Sequence, residues 1–212
     1  MTAIEEIKAE VSTLPLPISR RRKAVQPKIW NFPEAGHEYF LAACPTEGIG
    51  QDAAAMVIVK EGDCDSPDAV VVEFEDNCTD PLELAMIVNA FGRWYNNALV
   101  AVETNRYDST LAWLQCKCGY ENLYRWKHKD ATDHNKPLVN KFCWMTTAAN
   151  AIKLQTVYSV FRKRNMIQAF SPILDEIDGL IGIENGKLTP RHRALMIALY
   201  CGHEMDLIGA SE

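Results

Sequence analysis

Glu103 closes the stretch NALVAVETN (97–105), in which the apolar run Ala98–Val102 ends on a carboxylate. A short apolar run with β-branched members reads as a buried strand. Glu103 is then a carboxylate at the end of a buried strand, and its chemistry depends on the partners it faces. Seven cysteines are an odd count in a chain of 212 residues, which argues against a disulfide framework. CKCG (116–119) has one intervening residue where zinc knuckles usually have two, and no second Cys pair follows. These read as reduced thiols on a helix end. His128, His134 and His203 show no partner spacing and read as surface histidines. SRRRK (19–23), KHK (127–129) and RKR (162–164) are local basic clusters, each of which taken singly reads as a solvated helix end or linker.

The elements that must position these groups are dense after residue 28. HEYFLAAC (37–44), AAAMVIVKEG (53–62) and AVVVEFED (69–76) read as three adjacent strands of an antiparallel meander. DPLELAMIVNAFGRWYN (80–96) reads as a helix, with Thr79 or Asp80 as N-cap, Pro81 at its first position and Leu84, Ile87, Val88 and Phe91 on one face. ALVAVE is the fourth strand, DSTLAWLQCKCG (108–119) a helix closed by Gly119, and NLYRWKH (122–128) a fifth strand. ATDHNKPLVNK (131–141) reads as a surface loop. Helices are expected over 146–165, 171–181 and 189–205, the last capped by Thr189 with Pro190 following. Residues 1–28 read as a short helix and a proline-containing linker, and 29–212 as one α/β domain with parallel pairing in its second half.

Composition bounds the function. Hydrophobic residues make up 48% of the chain, enough to bury a core. The longest apolar runs are about half the ~20 residues that span a bilayer. The acidic, amphipathic N-terminus is unlike a signal peptide. The expectation is a cytoplasmic protein with no membrane partner. A net charge of −6 argues against a domain that coats nucleic acid unaided, because neutralising phosphates needs a basic face. No G-x-x-x-x-G-K-[ST] occurs, so no P-loop ATPase is encoded here.

The order of elements is that of the ribonuclease H-like fold, and several motifs sharpen the likeness. KIWNFPEAGHEYFLAACPTEGIGQDAAAMVIV (28–59) resembles the start of the nuclease domain of the large subunit of tailed-phage terminases, where a strand runs into a turn of the form D-P-A-E-G-x-G-x-D. RWYNNALVAVETN resembles that family's Y-N-x-A-x-x-x-x-E-x-N. YENLYRW and KFCWMTTAANAIKL resemble the next segments, and RHRALMIALY resembles the closing helix with pattern H-D-D-x-V-M-A-L. The likeness spans about residues 28–205. It implies a mixed sheet of about five strands flanked by helices, and a place in viral DNA packaging. The chain would be an excised domain, a split gene product or a repurposed copy, and if phage-encoded it would work in the host cytoplasm.

The family's chemistry is metal-assisted phosphodiester cleavage, in which two divalent ions ~3.5–4 Å apart clamp the attacking and leaving oxygens. Hard ions need oxygen ligands, so carboxylates must converge from separate elements. Glu103 matches its family position. The first-strand Asp position is held by Cys44, and the paired Asp positions of the closing helix by Arg193 and Ala194. A thiol is a poor Mg²⁺ ligand, and a guanidinium repels cations. The favoured expectation is that Arg193 pairs with Glu103, making the domain a pseudo-nuclease without a cofactor. It would bind double-stranded DNA, the terminase ATPase or another packaging protein. DNA contacts would come from Lys127, Lys129, Arg162, Lys163 and Arg164, with Trp126 and Trp144. Alternatively, Glu103, Asp52 and Glu47 hold Mg²⁺ or Mn²⁺ and the chain is an active endonuclease. Two further readings are a zinc-like set of Cys44, Glu103 and His192, and a protein-only interaction module. Core packing is expected of Trp94 and Trp113.

Overall fold

The computed structural model describes residues 25–50, 52–105, 109–128, 139–142, 144–181 and 187–203. The N-terminal helix expected before residue 25, the SRRRK cluster, Lys129, His134 and Cys143 lie outside them. So do the side chains of Lys127 and His128.

Three long strands form the centre: β2 (Tyr39–Cys44), β3 (Ala54–Lys60) and β4 (Asp68–Asp76), with β1 (Lys28–Ile29) preceding them. β2 and β3 are nearly all buried, which is why they read as continuous apolar runs rather than alternating ones. They pair as the expected antiparallel meander, Cys44 opposite Ala55 and Ala55 opposite Glu75. Helix α1 (Pro81–Trp94) begins in a capping box in which Asp80 accepts from the Leu82 and Glu83 amides, with Pro81 in the first turn. It returns the chain to β5 (Leu99–Val102), which pairs parallel with β2. The turn between them uses Asn96 and Asn97 at φ of 52° and 58°. Asparagine tolerates that left-handed backbone better than most residues.

Beyond β5 the chain forms α2 (Ser109–Cys116), β6 (Arg125–His128), β7 (Val139–Phe142), α3 (Ala148–Lys163), β8 (Ile167–Ala169), α4 (Ile173–Asp178) and α5 (Pro190–Gly202). The main sheet has six strands in the order β1-β4-β3-β2-β5, with β8 also on β4. The expected fifth strand is not the sheet's own: β6 pairs with β7 in a separate two-stranded ribbon. That ribbon is anchored on β5 through bridges from Leu123 to Val100 and from Trp144 to Glu103. β7 begins within the segment read as a loop (131–141) and runs one residue past it, because a ribbon partner needs no apolar run. β1 and β8 share the outer edge of β4, so Lys28 already belongs to the sheet.

Both faces of the sheet are covered. One carries α1, packed against α2. The other carries α5, which packs on β2, β3 and α3. Ala194–Leu199 are six consecutive buried residues, so α5 is apolar all round and lies between the sheet and α3. Its first turn is polar, and there its arginines reach the site.

Candidate functional site

The register across the sheet dictates what shares one end of one face. Cys44 closes β2, and Glu103 follows β5, its amide donating to the Ala43 carbonyl at 2.8 Å. Helix α5 crosses this end. Arg191 and Arg193, two apart on the helix, point to opposite sides of its axis. Arg191 reaches β4, with Nη1 3.1 Å from Glu73 Oε2 and Nε 3.7 Å from Glu75, and it also contacts Glu176 of α4. Arg193 reaches β5.

Glu103 is 8% exposed and both its oxygens are engaged. Arg193 Nε and Nη2 each donate to Oε2 at 3.3 Å, and Thr146 Oγ1 donates to Oε1 at 2.6 Å. Trp144 Nε1 donates in turn to Thr146 Oγ1 at 3.0 Å. Asn105 fixes Thr146, accepting from its amide at 2.6 Å and donating to its carbonyl. Arg193 Nη1 donates to the Leu188 carbonyl at 3.2 Å, which orients the guanidinium. Burial disfavours charge on Arg193, but the acidic groups facing it, the Glu103 carboxylate among them, leave its pKa above the usual arginine value. Cys44 lies beneath the pair, fully buried. Burial first, then the charge of Glu103, push its thiol well up, so it is a neutral thiol at physiological pH.

Above the pair opens a cavity of about 460 Å³, lined by residues that include Thr46, Glu47, Asp52, Glu103, Lys187 and Arg193. Three carboxylates thus share one cavity, but at different depths. Glu103 is on the floor, whereas Glu47 and Asp52 are exposed, Asp52 standing 4.0 Å from Lys187 Nζ. Ala194 does not line the cavity. It has no exposed surface and belongs to the core cluster on the α5 side of the sheet. His192 faces away from Glu103: its Nε2 is 2.9 Å from Glu176 Oε2, and its Nδ1 accepts from the Thr189 amide in a capping box. The neutral Nε2–H tautomer satisfies both contacts. The Cys44–Glu103–His192 set is therefore not assembled, because neighbouring helical residues point about 100° apart.

The donor set does not fit a divalent cation as it stands. A guanidinium sits on the one buried carboxylate, the sulfur is a protonated thiol, and the other carboxylates are at the rim. Among the described residues no three His, Cys, Asp or Glu side chains are grouped to hold a metal ion.

The expected DNA contacts fare unevenly. Trp144 is fully buried against Tyr200 and Trp126, and so is not a contact residue. Arg162 is committed to α4, with Nη2 2.5 Å from Asp178 and 3.4 Å from Asp175. Lys163 and Arg164 are exposed, but at the far end of α3. Thr147 caps the near end beside the cavity, and sixteen residues at 1.5 Å each place the two about 24 Å apart. His203 is no ordinary surface histidine. Its Nε2 is 2.7 Å from the buried Asp68, and its ring packs on Phe40 and Phe161. Trp94 and Trp113 are half-buried against the α1 face of the core.

Acid will loosen the α3–α4–α5 side. The hydrogen bond from His192, helped by Arg191, holds the Glu176 carboxyl below its ordinary value. Burial pushes Asp178 up, but hydrogen bonds from Arg162 and Tyr158 outweigh it and leave Asp178 lowered too. Depressed pKa values contribute stability that is fully present above the unfolded-state value and lost as pH falls through the folded one. Both carboxyls are well exposed, so the contribution is modest. The double variant Glu176→Gln/Asp178→Asn is expected to lose less stability than the unaltered chain between about pH 5 and pH 2, read by urea unfolding at each pH.

No family model and no curated protein matches the chain. Solved structures do. The large terminase nuclease from thermophilic phage G20c with bound zinc is 15% identical, covers 87% of this chain and 91% of its own, and superposes with a TM-score of 0.58. The same nuclease has also been seen with bound cobalt and with bound magnesium. The Thermus phage P74-26 large terminase nuclease domain is 15% identical, covering 89% of this chain and 88% of its own, with a TM-score of 0.54. The human cytomegalovirus terminase nuclease domain is 13% identical, covering 81% and 86%, with a TM-score of 0.51. The chain therefore carries the ribonuclease H-like fold of the terminase nuclease domains.

Proposed function

We propose that this domain is a terminase-nuclease relative that no longer cuts DNA and acts by binding, to DNA or to a protein of a packaging assembly. One observation carries the reading: the Arg193 guanidinium rests on Glu103, the position that the family resemblance assigns to a metal ligand. A fixed cation there satisfies the carboxylate without an ion and opposes the entry of one by repulsion. Cys44 beneath the pair adds no ligand. Partners in this reading are double-stranded DNA, a terminase ATPase, or other packaging proteins. No described helix is long and apolar enough to cross a membrane.

A second reading has one observation in its favour. Glu47, Asp52 and Glu103 line a single cavity. If Arg193 swung off Glu103, these residues could ligate one Mg²⁺ or Mn²⁺, which often needs only one or two carboxylates plus substrate phosphates. The ion would supply charge stabilisation for phosphodiester cleavage. Incubation with supercoiled plasmid in millimolar Mn²⁺ separates the two readings. The expected result is no nicking above a metal-free control. Nicking that disappears in Glu103→Ala would establish the endonuclease instead.

A further inference from the structure

Strand β8 lies on the outer edge of β4, and its own outer edge carries unpaired backbone. In the parallel pairing Asp68 stands opposite Ile167 and Val70 opposite Ala169, and the Asp68 amide donates to the Met166 carbonyl at 2.9 Å. In that register Gln168 turns its backbone groups to β4, whereas Ile167 and Ala169 turn theirs away from it. Among the described residues, no backbone hydrogen bond reaches these outward groups. Edges of this kind are usually blunted by lysine, proline or a bulge. Here the stretch Asn165–Ser171 holds no charge and no proline, and β8 runs along β4 without a shift of register.

Side chains along β8 alternate between the two faces. Ile167 and Ala169 pack into the core that α3 and α5 cover. Met166, Gln168 and Phe170 point to the other face and are exposed, Met166 by 39% and Phe170 by 57%. The Trp30 ring stacks on Phe170 with centroids 6.2 Å apart and extends the apolar surface. We propose that β8 pairs with β8 of a second copy of this chain, antiparallel about a two-fold axis at Gln168.

The backbone sets this register. Ile167 of each copy exchanges two hydrogen bonds with Ala169 of the other, and Gln168 faces its own counterpart in a non-hydrogen-bonded pair. On the exposed face Met166 then meets Phe170 of the other copy, so the edge is complementary to itself, as a two-fold interface requires. Being uncharged, it brings no like charges together, in a chain whose net charge of −6 opposes other modes of self-association. At the other edge of the sheet β5 is bridged by Leu123, and Trp144 bridges the adjoining Glu103, so the pairing closes at two copies. Four strand spacings, about 19 Å, separate β8 from β5, and the cavity stays open in the dimer. The inference is therefore independent of how the cavity is read. The contact is small, and the dimer is accordingly weak and reversible.

Sedimentation velocity of the full chain between about 10 μM and 1 mM tests this, and a monomer–dimer equilibrium is the expected result. Ala169→Pro removes an amide that points away from β4, so the β4–β8 pairing is kept while each copy loses a donor to the other. The dissociation constant should rise at least about tenfold. Gln168→Lys alone and Gln168→Glu alone should each weaken the dimer, because like charges then meet at the axis, and an equimolar mixture of the two should restore it. Gln168 is exposed, so this mixing test stands even where the proline disturbs β8. The same two changes at Thr156, exposed on α3, should give no gain on mixing. A chain that stays monomeric at the highest concentration overturns the proposal, whatever else covers the edge. So does a dimer that both Gln168 changes leave intact, or one that the Gln168 mixture fails to restore, since the copies would then meet elsewhere or in another register.

Discussion

Arg193→Ala should destabilise the domain by about 3 kcal/mol, the low end of the 3–5 kcal/mol typical when one partner of a buried ion pair is removed. The low end applies because the cavity lets water reach Glu103 once the guanidinium has gone. Glu103→Gln should cost less, about 1 kcal/mol, roughly one ordinary hydrogen bond. The amide oxygen can still accept from Arg193 or Thr146, and Arg193, with its side chain 28% exposed, keeps contact with solvent. The order of the two effects, rather than either magnitude, carries the claim. Urea unfolding of both variants checks it. If Glu103→Gln proves the more damaging, the carboxylate is serving something other than Arg193.

Rebuilding the family's acidic site should make the fold depend on metal. The double change Cys44→Asp/Arg193→Asp places three carboxylates at one end of one sheet face, and one of them replaces a thiol that burial already holds neutral. Without an ion, repulsion and desolvation should lower the melting temperature steeply at neutral pH. With Mn²⁺ at about a hundred times its dissociation constant, about 2.7 kcal/mol should return. Ala194→Asp is expected to behave differently. Ala194 has no exposed surface and does not line the cavity, so a carboxylate there is buried without a partner and no ion should rescue it. Equal loss in the double variant with and without Mn²⁺ would mean that residues 44, 103 and 193 do not form one ion site.

Much of the fold was legible, for identifiable reasons. Strands β2 and β3 are buried on both faces, so each is a nearly unbroken apolar run. Helices α1 and α5 announce their starts with Asp80–Pro81 and Thr189–Pro190. What escaped was set by tertiary context. β1 and β8 are two and three residues long and exist only because β4 offers a free edge. β7 hides in a polar segment because its partner is a ribbon strand. At the site, the meeting of Arg193 with Glu103 came from family positions rather than local pattern. The chain of hydrogen bonds from Trp144 through Thr146 to Glu103 had no sequence mark at all. Two features did leave a signal that went unread. Glu73 interrupts the apolar run of β4, and a charge in a buried strand demands a partner, which Arg191 supplies. His192 stands at the third helical position after a threonine cap, where Glu or Gln usually completes the box, and its ring nitrogen does the same work.

Calorimetric titration of Mn²⁺ into the unaltered, metal-free chain tests the central claim most directly, because it asks whether the Arg193–Glu103 pair has replaced the ion. The account predicts heats no different from dilution up to millimolar Mn²⁺, and the same for Glu103→Ala. A saturable binding heat that vanishes in Glu103→Ala would contradict it, since Glu103 would then hold a metal ion despite the guanidinium beside it.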